Sequence, residues 1–280
     1  MSWRLRIKHV TGFTYAGTAH ASYNEARMTP QNVTGQNTLF SQVECNPGAT
    51  TWRYRDYWGT QVTVFDLQRP HQQLKVTASS LVETSERPVP SDSLDWEGLR
   101  QPSTSDTYLE YLTPTELTAI DADLVATAAD LAGGRPPHDA ALAISDWVRS
   151  QVEYVPGSTE VRTSARQAWA QRKGVCQDMA HLTLGMLRSV GVPARYVSGY
   201  LYPKRDASVG DTVAGQSHAW VEWWSGDWAG FDPTNGLIPG QRHVIVAQGR
   251  DYTDVTPLKG VYHGARSTGL GVTVELTRLA

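Results

Sequence analysis

The sequence predicts an α+β protein in which an N-terminal β-rich domain precedes a core where a cysteine-bearing helix packs on an antiparallel sheet. Three observations predict it. Apolar and polar residues alternate with a period of two up to about residue 84, the spacing turns helical after a polar, proline-bearing stretch, and strand patterning returns after Pro193.

The elements follow in order. Trp3, Leu5 and Ile7 interleave with Arg4, Arg6 and Lys8, and Val62, Val64, Leu74, Val76 and Val82 continue in β-branched and apolar runs, so residues 1–86 read as antiparallel strands. From 83 to 106 the chain is polar and carries Pro88, Pro90 and Pro102, which marks 87–106 as a linker. A run opened by Thr113 and Pro114 places Leu117, Ile120, Leu124, Ala128 and Leu131 at helical spacing and stops at Gly133 and Gly134. Helices are predicted again over 137–151 and 164–171, and over 176–190, where Gly191 and Pro193 supply the stop. Strands are predicted at 195–201, 217–224, 228–231 and 243–246, which completes a core over 107–248. In the tail, 249–280, Leu270, Val272, Val274 and Leu276 alternate and predict a last strand joining the core or the N-terminal sheet.

Composition narrows the function classes. A chain of 280 residues with 40% hydrophobic content is long enough for about two buried cores. A net charge of -3 and no Lys/Arg run argue against a nucleic-acid partner. No apolar stretch approaches the roughly 18 residues of a membrane span, and residues 1–15 lack a signal-peptide apolar block, so no membrane partner and a cytoplasmic protein are expected. Cys45 and Cys176 are too few for a disulfide framework. No histidine pair has metal-ligand spacing, so no metal and no cofactor are expected.

Three short segments carry chemistry: Gly174 to Asp178, Ser217 to Trp220, and Gly230 to Pro233. Cys176 falls where a loop ends and an apolar helix begins, so first-turn N–H groups point at its sulfur and one of them is placed as an oxyanion donor. A thiol nucleophile needs an imidazole to take its proton and return it to the leaving amine. His218 begins a strand that turns back at Ser225, Gly226 and Asp227. If those three form the loop, Asp232 lies opposite Trp220 and diagonal to His218 on one face; a two-residue loop would turn it away. His181 lies five residues after Cys176, about 140° round the helix, on a polar stripe with Asp178 and Arg188, and reads as a helix-surface or interdomain residue. Each piece alone is an ordinary structural choice, since a cysteine at a helix start also serves as a small buried hydrophobe. Their order and company make the case.

The segments 172–181, 191–200, 217–222 and 228–234 together resemble the transglutaminase-like superfamily. His9-Val10-Thr11, residues 22–27 and residues 249–255 are similar to the flanking parts of a bacterial subgroup of that family. The resemblance implies a papain-like transglutaminase core in which Cys176 attacks an amide, His218 relays the proton and Asp232 orients the imidazole. It also implies a second oxyanion donor upstream of the nucleophile, for which Tyr154 and Trp169 are the candidates. Trp169, Trp220 and Tyr154 are expected to line the cleft, with Trp223, Trp224 and Trp228 as further candidates. The calcium loops of the animal members have no match. The expected function is hydrolysis of a peptide or related amide; amine transfer and a catalytically silent scaffold are the alternatives. Oligomeric state is left open.

Overall fold

The structure is a computed structural model that describes residues 2–87 and 93–280. The N-terminal part forms β1 (Ser2–Ala26), β2 (Gln36–Asn46), β3 (Thr51–Arg55), β4 (Gln61–Leu67) and β5 (His71–Ser85). Helices follow: α1 (Trp96–Arg100), α2 (Pro102–Ser105), α3 (Leu109–Leu112), α4 (Ala122–Ala132) and α5 (Pro137–Gln151). Next come β6 (Glu153–Tyr154), α6 (Ala165–Gln171), β7 (Lys173–Gly174) and α7 (Cys176–Ser189). The chain ends with β8 (Ala194–Leu201), β9 (Thr212–Gly215), β10 (Ser217–Trp224), β11 (Trp228–Phe231), β12 (His243–Gly249), α8 (Tyr252–Val255), β13 (Leu258–Gly264) and β14 (Ser267–Arg278).

β1 is the spine of an eight-stranded antiparallel sheet. Its first half buries Trp3, Leu5, Ile7 and His9 and exposes Arg4, Arg6 and Lys8, as the alternation requires. That half pairs with β5 on one side and β14 on the other, with Ile7 opposite both Ser80 and Leu276. Its second half pairs with β4 and β13. The tail therefore closes the N-terminal sheet, and β9, from the core segment, extends that sheet beyond β14.

A second sheet, ordered β11-β10-β8-β12, is antiparallel throughout. Alternate β10 residues Ala219, Val221 and Trp223 share one buried cluster with α7 residues Leu182, Met186 and Leu187. Trp3, Leu5, Ile7 and Val82 belong to the same cluster, so apolar packing is continuous between the two sheets. A second cluster, including Met28, Phe65, Leu67, Leu74 and Val76, fills the far end of the β-rich part.

Two expectations change. The helix expected from Thr113 and Pro114 begins at Ala122, because Thr115 and Thr118 bond each other's hydroxyl and backbone groups and hold 115–118 as a turn. Of the segment expected to be a linker, 88–92 lie outside the described residues, while 96–105 form α1 and α2. Asp95 caps α1 through Gly98 N–H, and Leu99 enters the main core. No helix among the described residues is long and apolar enough to cross a membrane.

Candidate active site

Cys176 is the first residue of α7. The preceding β7 pairs in parallel with β6, placing Tyr154 beside Gly174. Asp178, in the first turn, accepts the Val175 N–H at 2.8 Å and the Thr159 hydroxyl at 2.6 Å, which fixes the bend into the helix. Gly174 is required there, since a Cβ would stand 2.7 Å from the Asp178 Cβ. Burial pushes the Asp178 carboxyl upward, and the bonds from Thr159 and the backbone oppose it. Both cysteines are free thiols.

His218 is the second residue of β10. The hairpin to β11 pairs Trp224 with Trp228 across the three-residue turn Ser225, Gly226 and Asp227, with Gly226 at φ 106°. This is the odd loop that brings Asp232 to the histidine. The His218 Nε2–H donates to Asp232 Oδ2 at 2.7 Å. Cys176 is a further hydrogen-bond partner of the ring, and with Nε2 committed to Asp232 the nitrogen left for the thiol is Nδ1. Burial alone would lower the His218 pKa, but the bonds to Asp232 and Cys176 outweigh it and raise it from 6.5 to about 10.

Asp232 is fully buried and saturated with donors. Its Oδ1 accepts the Thr234 and Asn235 backbone N–H groups, an Asx turn after the Asp-Pro step. Its Oδ2 accepts from His218, from the Asn235 side chain at 2.8 Å and from His243 Nε2 at 3.2 Å. Burial would raise this carboxyl, yet the donors, His218 first, hold it well below the usual carboxylate range.

Sequence reasoning missed His243. It begins β12, which pairs with β8 and not with the hairpin, so no local spacing links it to Asp232. Its Nδ1 accepts the Gly240 N–H at 3.4 Å, leaving the proton on Nε2 for Asp232. Burial lowers its pKa, against the bond to Asp232. His218, Asp232 and His243 present ligand-capable atoms within 4.8 Å of one another. Both histidines turn Nε2 to Asp232 Oδ2.

Of the two readings offered for His181, helix surface or interdomain, the surface one fails. His181 is fully buried; its Nε2 accepts the Tyr252 N–H at 3.2 Å and its ring lies 5.2 Å from Tyr196. The polar stripe of α7 is covered by the tail: Arg188 on the same stripe donates to the carbonyls of Ala194 and Arg250. Burial lowers the His181 pKa to about 4.

Of the three residues expected to line the cleft, only Tyr154 does. Trp220 is fully buried with Val197 and Ile245, its ring 5.2 Å from His243, so it supports the histidines from behind. Trp169 packs 5.3 Å from Trp147 with the Arg172 guanidinium over its face, and its indole N–H donates to Asp123. Trp223, Trp224 and Trp228 are likewise absent from the cleft wall, whose aromatic residues are Tyr154, Tyr196 and Tyr252. Burial, then Cys176 and Asp232, push the Tyr154 phenol upward, in keeping with a ring beside the thiol.

A helix-borne thiol facing an imidazole, itself held by a carboxylate on an antiparallel sheet, defines a papain-like α+β protein. Residues 125–233 match the transglutaminase-like superfamily and residues 5–83 match the bacterial transglutaminase-like N-terminal region. The chain belongs to the transglutaminase-like superfamily. An uncharacterized protein of Mycobacterium leprae is 48% identical over 278 residues, covering 99% of this chain and 100% of that protein. An uncharacterized protein of Mycobacterium tuberculosis is 31% identical over 294 residues, 98% of this chain and 92% of that one. A Cytophaga hutchinsonii protein solved as a candidate cysteine protease shares the fold, with a TM-score of 0.74 at 24% identity over 100% of this chain and 93% of that one.

Proposed function

We propose that this protein hydrolyses amide bonds in peptides or proteins through an acyl-enzyme on Cys176. The observation that carries this reading is the His218 ring, held through Nε2 by Asp232 at 2.7 Å and lining one cleft with Cys176, which leaves Nδ1 for the thiol. Nδ1 holds the thiol proton in a thiolate–imidazolium pair, and the thiolate sulfur forms a bond to the amide carbonyl carbon. The oxyanion is met by the Cys176 N–H, which has no partner within the helix, and by the Tyr154 phenol as second donor. His218 then protonates the leaving amine as the C–N bond breaks. Water attacks the thioester with His218 as base, and the carboxylic acid leaves as the thiol reforms. Asp232 keeps the ring oriented and stabilises the imidazolium without taking the proton.

The test is to incubate wild type and Cys176→Ala with a proteome-derived peptide mixture in ¹⁸O-water containing a labelled primary amine. New carboxyl termini carrying ¹⁸O, formed only by wild type, are expected. Amine incorporation without ¹⁸O-labelled acid overturns hydrolysis in favour of transfer, and identical products from both proteins remove Cys176 from the reaction.

A further inference from the structure

The space around Cys176 is a cleft of about 410 Å³, within the usual size of a small-ligand site. Its walls come from distant parts of the chain. Tyr154 and Val161 stand on the side that leads into α7, Tyr196 and His218 come from the core sheet, and Val272 and Val274 come from β14 of the tail. Val272 and Val274 lie two apart on one face of that strand, the first half-exposed and the second buried. Val274 is paired with Gly215 of β9, so no β9 side chain stands beside it at the cleft.

The wall offers an incoming side chain no free charge. Among the described residues lining the cleft there is no Asp, Glu, Lys or Arg, and His218 is committed to Asp232 and Cys176. A charged side chain entering this space would leave water without a counter-charge, whereas an apolar one gains by covering valine and tyrosine surface.

We propose that the cleft selects an uncharged, apolar acyl side chain on the substrate, and that Val272 and Val274 form the contact that selects it. The inference rests on the amide-hydrolase reading and deepens it: specificity is set by a strand of the tail and not by the core that carries the thiol. The β-rich sheet is thereby part of the substrate site.

The test uses affinity labels that need no turnover. Acylated aminoacyl chloromethyl ketones bearing Leu, Glu or Lys side chains are reacted with wild type and Val272→Lys, and labelling of Cys176 is followed by peptide mass spectrometry. Iodoacetamide is run in parallel, with Cys45 as the reference thiol. In wild type the Leu reagent should label Cys176 at least about tenfold faster than either charged reagent, the scale set by pocket discrimination of side chains. In Val272→Lys, which alters a half-exposed position, the ratio of Glu to Lys labelling should rise by a similar factor. Equal rates for the three reagents in wild type, or an unchanged Glu to Lys ratio in the variant, overturn the assignment of the wall. A Cys176 that reacts with iodoacetamide no faster than Cys45 overturns the hydrolase reading itself and this proposal with it. Rapid iodoacetamide labelling without side-chain discrimination overturns the cleft assignment alone.

Discussion

Replacing Asp232 with asparagine keeps the side-chain shape and removes its charge. The new amide would still offer an oxygen to the Thr234 and Asn235 N–H groups, but its NH₂ would face the Nε2–H groups of His218 and His243. Donor would meet donor. The simplest escape moves the His218 proton to Nδ1, which then points a hydrogen, not a lone pair, at Cys176 and cannot take the thiol proton. A rise in the His218 pKa from 6.5 to about 10 corresponds to roughly 5 kcal/mol of preference for the imidazolium, with Asp232 the largest favourable contributor. Losing that share together with the correct tautomer should lower kcat/KM by about 10³- to 10⁴-fold. The assay is a ¹⁵N NMR titration of the imidazoles. Wild-type His218 should stay protonated through pH 8, and in Asp232→Asn it should titrate near or below 6.5. Because its folded pKa is raised, His218 contributes stability in full below 6.5 and loses it as pH climbs through about 10. The stability gap between wild type and variant should close over that window. A wild-type His218 that titrates between pH 6 and 7, or unchanged by the substitution, would refute the electrostatic account of the site.

Two more outcomes are expected. His243→Phe removes one donor from the buried Asp232 carboxylate, a charge-assisted bond worth about 1.5–3 kcal/mol; kcat should drop roughly 10- to 100-fold with KM little changed, and His243→Gln should recover part of the loss. Equal kcat in all three proteins would limit His243 to packing. His9 and His181 are buried neutral with pKa values lowered to about 4, so the unfolded chain binds more protons than the folded one between about 4 and 6.5 and stability must rise with pH across that window. Each is worth up to about 3 kcal/mol at the acid end. Thermal melts from pH 4.5 to 7 should show Tm rising, with a shallower slope in His9→Gln; a flat profile would mean the two rings are not buried neutral.

How much was legible in the sequence followed from how local each relation is. Cys176 sits at a helix start read from Gly174 and the apolar run after it, and the His218 to Asp232 bond depends on one hairpin whose three-residue turn sets the strand parity. His243 reaches the same carboxylate only because β12 lies on the far side of β8, a neighbour relation that no spacing encodes. The polar stripe on α7 was readable, but its cover was not, since Tyr252 and Arg250 come from a tail segment far along the chain. The tryptophans misled for a related reason. Period two places Trp220 and Trp223 on opposite faces of β10, yet both faces are covered, one by α7 and the other by Val197 and Ile245, and the cleft opens at the strand's His218 end.

The pairing of β1 with β14 also has a consequence for the order of synthesis. β1 can pair with β5 early, but β14, its neighbour on the other side, is made much later, with Arg4 and the Leu279 and Ala280 backbone bonded at the seam. Such a contact is among the slowest a chain can form, because the whole intervening loop must be closed first. The thiol, imidazole and carboxylate all emerge earlier than β14. A nascent chain can therefore assemble its reactive groups before it has the wall of Val272 and Val274 beside them, and the cleft acquires its full shape only when synthesis reaches the tail.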